Sequence, residues 1–79
     1  MSDIEARISK DIRLFGESLK KLDRGSLSED EAKVVKLAEM YAKDADAWLA
    51  KKDYYTSFSS VAYAHGLLDS ILKLKKLIE

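Results

Sequence analysis

The chain has 79 residues, 14 basic against 14 acidic, with 47% hydrophobic residues and neither cysteine nor proline. That length supports one modest core, which must hold together without disulfides or thiolate metal sites. The even charge balance argues against a dedicated nucleic-acid binder, which carries a basic excess or stripe.

With no proline, nothing forbids long helices. Ser2 and Glu5 have the spacing of a capping box, and Ile4, Ile8, Ile12, Phe15, Leu19 and Leu22 follow at steps of four and three. A helix over about 3–23 is expected, closed by Gly25 in a left-handed conformation. The same stretch is interrupted by charge too often for a signal peptide.

Ser28 and Glu31 form a second capping-box pair, with Leu27 just outside it. The stripe Val34, Val35, Leu37, Ala38, Tyr41, Ala42, Ala45, Trp48 and Leu49 predicts a helix over about 29–51 that faces two neighbours. Its alanines allow close approach of another helix. Asp53 is the natural N-cap of a third helix over about 54–77. The loop before it is so short that helices two and three must be antiparallel neighbours. Acids at the predicted starts and lysines at the predicted ends suit the helix dipole. The expected fold is all-α: a single domain over 1–79, an up-down-up three-helix bundle with short loops.

The run YYTSFSSVAYAHGLL, residues 54–68, carries no Asp, Glu, Lys or Arg. It is too short and too rich in hydroxyls to span a bilayer. Tyr54, Phe58, Val61, Ala62, His65 and Leu72 share one helical side, and Ala64, Leu67, Leu68, Ile71, Leu74 and Ile78 a second. Thr56, Ser57, Ser59, Ser60 and Tyr63 fall mostly on the remaining side, where helices one and two carry formal charge. Either these residues are simply solvated or tucked under a neighbour, or the side is a contact surface. Small uncharged groups are cheap to desolvate, and tyrosine adds area with few rotamers to freeze. His65 and Asp69 are four apart and share a face, as a polar pair at the core edge or as a ligand-facing pair. A metal site there lacks a second histidine or any cysteine. Gly66 and Gly16 interrupt helices at a cost of about 1 kcal/mol each, which close packing of a neighbour would explain, or, at Gly66, access for a ligand.

Catalytic patterns are missing. No nucleophile elbow surrounds a serine, no Walker loop or GxGxxG occurs, and Asp44 and Asp46 point to different sides of their helix. The chain is therefore read as a non-enzyme with no cofactor.

AKDADAWLAKKDYYTSFSSVAYAHGLLDSI resembles a family of short archaeal proteins, domain of unknown function 357. The closest part is residues 53–71, through Asp53-Tyr54, Tyr63-Ala64 and Gly66-Leu67-Leu68-Asp69. The resemblance implies a three-helix bundle in an archaeal cytoplasm and no assigned activity. The helix pair is more distantly similar to HEPN-type domains, some of which are RNases. No arginine stands four to six residues before His65, so their catalytic motif is absent.

The sequence thus points to a cytoplasmic interaction or accessory module, with a protein partner or self-association, no membrane and no nucleic acid. Its candidate surface is Ser59, Ser60, Tyr63, His65, Gly66 and Asp69. The alternative is a pocket for a small molecule or nucleotide around His65 and Asp69.

Overall fold

A computed structural model describes residues 3–78 and contains three α-helices. They are α1 (Asp3–Leu19), α2 (Glu29–Ala50) and α3 (Tyr54–Leu74), with a 3-10 turn at Arg24–Ser26 between the first two. The all-α three-helix bundle expected from the apolar stripes is the architecture observed.

Local chemistry sets the helix starts. Ser28 accepts from the Glu31 N–H at 3.1 Å while Glu31 accepts from the Ser28 N–H at 2.8 Å, the full capping box. Asp53 accepts the Thr56 N–H at 3.1 Å and the Thr56 hydroxyl at 2.9 Å, opening α3. The pair proposed at Ser2 and Glu5 involves a residue outside the described range.

The helix ends differ from expectation. α1 stops at Leu19, because the chain tightens into i→i+3 bonds, ending with the Leu22 N–H donating to the Leu19 carbonyl at 3.1 Å. No glycine has positive φ, so Gly25 does not supply a left-handed stop. It sits in the 3-10 turn, and its N–H donates to the Asp23 carboxylate at 3.1 Å. The left-handed residues are instead Lys52, at φ 62°, and Lys76, at φ 59°.

Both lysines close Schellman motifs. After α2, the Lys52 N–H reaches the Leu49 carbonyl at 2.9 Å and the Asp53 N–H reaches the Trp48 carbonyl at 3.0 Å. After α3, the Lys76 N–H reaches the Lys73 carbonyl at 3.0 Å and the Leu77 N–H the Leu72 carbonyl at 2.9 Å. The lysine pairs after α1 and α2 thus lie just past the helices rather than in their last turns.

The α2–α3 contact is the most extensive, α3 also packs on α1, and contact between α1 and α2 is sparse. Small residues make the main seam: Ala38, Ala42 and Ala45 of α2, with Ser57 and Ala64 of α3, are all buried. Phe15 of α1 packs into this layer with Leu68 and Leu72, and Ile8, Val35, Val61 and Ile71 are buried as well. The result is flattened, 39 × 21 × 14 Å, as befits a hairpin with the third helix laid along one partner.

Candidate functional site

α3 is central, so its circumference divides into three sectors. One faces α2. There Ser57, read from sequence as outward, is fully buried and donates its hydroxyl to the Ala45 carbonyl at 2.6 Å. Ser60 is half-buried beside it and donates to the Thr56 carbonyl at 2.9 Å. Both hydroxyls are satisfied within the chain, and neither is a free docking group.

The second sector faces α1. The His65 Nε2–H donates to the Asp11 carbonyl at 2.8 Å, and its ring meets Phe15 edge-on with centroids 5.7 Å apart. The partner expected for His65 was Asp69. The bond runs across to α1 instead, which makes His65 a bridge between helices. Tyr54 reinforces the same junction by hydrogen-bonding the Glu5 carboxylate.

The third sector faces outward. Tyr55, Ser59, Ala62, Tyr63 and Gly66 are all exposed, and Ser70 continues the row. Their spacing of three, four and seven places them on one helical face. Tyr55 is 85% exposed and Tyr63 51%, the latter held upright by an edge-to-face contact with Tyr41, centroids 4.7 Å apart. Such a pair adds about 0.5–1.5 kcal/mol beyond area burial and fixes the ring. At Gly66 a methyl group would meet nothing within 4 Å, and the same holds for Gly16. The packing explanation for these two glycines therefore fails inside the chain.

Of the six residues proposed from sequence, Ser59, Tyr63 and Gly66 come together on the outer face. His65 is engaged with α1, the half-buried Ser60 bonds back to the Thr56 carbonyl within α3, and Asp69 is half-buried. Sequence reasoning missed Tyr55 and Leu74, the two most exposed large apolar residues among those described. Tyr55 precedes Ser59 by four positions, so its place was available from the helical period.

A separate open groove of about 270 Å³ lies between α1 and α2, lined by Ile12, Gly16 and Leu19 against Ala42, Lys43 and Asp46. It contains none of the proposed residues. Among the described residues no three His, Cys, Asp or Glu side chains cluster to hold a metal, and no helix is long and apolar enough to cross a membrane.

These features define a small three-helix domain whose last helix carries an uncharged outer face. A family model described as a protein of unknown function, DUF357, matches residues 10–77, and the chain belongs to that family. No curated protein matches it.

Proposed function

We propose that the chain is a non-catalytic, cytoplasmic interaction module that docks a protein partner through the outer face of α3. One observation carries this reading: the exposed side of α3 bears no formal charge from Tyr54 to Leu68, while Tyr55 and Tyr63 stand open on it. Elsewhere the chain carries 14 basic and 14 acidic residues. Desolvating an uncharged strip with fixed aromatic rings costs little, whereas an unpaired lysine or glutamate resists burial. The alternative, a small-molecule site at His65 and Asp69, has less support because His65 commits Nε2 to the Asp11 carbonyl.

The test uses the double variant Ser59→Glu, Tyr63→Glu, which adds charge at two exposed positions. Immobilised parent and variant are compared for proteins retained from a lysate of the source organism, with helicity followed by circular dichroism. A retained partner lost from the variant, at unchanged helicity, is the expected outcome. Identical retained proteins on both would refute the docking face.

A further inference from the structure

We infer that the open groove between α1 and α2 is a second docking site, which takes an amphipathic helix of a partner protein with one large apolar side chain seated at Gly16. It stands apart from the outer face of α3 and does not depend on that reading.

The groove exists because one seam of the bundle is left unclosed. α1 packs chiefly on α3 and touches α2 sparsely. Gly16 of α1 and Ala42 of α2 line the same gap, with Ile12 and Leu19 beside them. Small residues let two helices close up, yet here they border about 270 Å³ of open space. A Cβ at Gly16 would meet nothing within 4 Å, so no group of the chain uses the room that the glycine leaves. Glycine inside a helix is among the least favourable choices, and the isolated chain recovers nothing for it.

Size and shape select the occupant. A cavity of about 150 Å³ holds a benzene ring, so the groove has room for one Leu, Phe or Trp side chain. A free small molecule fits less well. Small-ligand pockets bury most of the ligand and run upward from about 300 Å³, whereas this groove lies open along one side. A side chain carried on a helix has its remaining surface covered by that helix, which is how apolar grooves between helices are commonly filled.

Charge sets the rest. Glu39, at the rim, is taken by Arg24 through two bonds of 3.2 Å. Lys43, four residues on, is thereby left without its natural helical partner. Asp46 follows three residues later. Both are exposed at the groove, and neither joins an ion pair among the described residues. The rim therefore offers one cation and one anion about 4.5 Å apart along the helix axis. Its complement is a helix with an acid and a base three or four residues apart, a spacing that puts both on one face beside the apolar side chain.

The test titrates the isotope-labelled full chain with Ala-rich helical peptides, followed by two-dimensional NMR. Each peptide carries a central Phe. One has Glu and then Lys four residues later on the Phe face, a second has the reverse order, and a third has Gln at both places. One of the two charged orders should give saturable shifts at Gly16, Ala42 and Lys43, and bind about three-fold or more tighter than the Gln peptide. Gly16→Leu fills the groove and should weaken that peptide about ten-fold or more. Its Tm should rise, because Leu is the better helix former and the site is open. Lys43→Glu combined with Asp46→Lys should reverse the preferred order. Ser59→Glu, Tyr63→Glu should leave peptide binding unchanged, which separates this groove from the α3 face. Absence of a saturable shift with either charged peptide overturns the inference, as does binding that survives Gly16→Leu. Free indole binding the groove as tightly as the peptides, with no response to the charge swap, would make it a small-molecule site and overturn the partner helix.

Discussion

Ser57 and Lys52 show how far a single side chain departs from what its type suggests. Ser57 belongs to a hydroxyl-rich run, yet it lies four before Val61 and seven before Ala64, both fully buried. The helical period therefore put it inside, and its small volume together with the Ala45 carbonyl made that position affordable. The helical side assigned to it from the sequence was therefore the wrong one, since Ser57 keeps step with the buried Val61 and Ala64. Lys52 is the opposite case, since no periodicity marks it. It takes a left-handed backbone because the α2–α3 connection needs a Schellman closure, and no glycine is placed there to do it. A non-glycine residue in that conformation costs about 1–2 kcal/mol. Lys52→Gly should therefore raise stability by about 1 kcal/mol, after the added freedom of the unfolded chain is allowed for. Urea unfolding followed by circular dichroism measures this. A lower midpoint in the variant would show that the lysine side chain, not backbone strain, dominates at that position.

At the scale of elements, caps and seams were legible and helix ends were not. Ser28, Glu31 and Asp53 announced their helices because the cap is a local contact between residues three apart. The alanines of α2 announced the tight seam with α3. The turn after α1 is held by a contact that no helix-end signal marks, that of Arg24. Its guanidinium binds the Glu39 carboxylate of α2 through two bonds of 3.2 Å. No local pattern encodes a contact fifteen residues away.

The far end of the hairpin is tied similarly. The Lys75 ammonium lies 2.8 Å from the Glu31 carboxylate and donates to the Ser26 carbonyl at 2.7 Å. The hydrogen bond from Lys75 and that from the Ser28 N–H hold the Glu31 carboxyl below its ordinary range. A carboxyl with a depressed folded pKa stabilises the fold above its unfolded pKa and ceases to do so as pH falls through the folded one. Stability should therefore decline on acidification below the ordinary glutamate range. Lys75→Met should flatten that decline, as read from urea midpoints across pH 2–7. Parallel acid profiles for the parent and Lys75→Met would show that the tie contributes nothing.

At the scale of the molecule, function follows from where the third helix is left uncovered. α1 and α2 occupy two sectors of α3, with His65 committed to the first and Ser57 to the second. The remaining sector is the one place where a charged chain becomes neutral. The sequence carried the neutrality of residues 54–68 openly. It did not separate the outward Ser59 and Tyr63 from the inward Ser60 and His65, because that division depends on which side α1 lies. Apolar spacing on α1 is compatible with either side of the hairpin, and the long-range contacts to Asp11 and Glu5 that fix it leave no local signature.

The exposure of the tyrosines tests this arrangement most directly. Hydroxyl-radical footprinting of the dilute chain, read by mass spectrometry, should modify Tyr55 fastest and Tyr63 next, in line with exposures of 85% and 51%. Tyr41 and Tyr54, both half-buried, should lag behind. Protection of Tyr55 and Tyr63 at a concentration where the chain sediments as a monomer would mean that its own helices cover this face, and the account would be wrong.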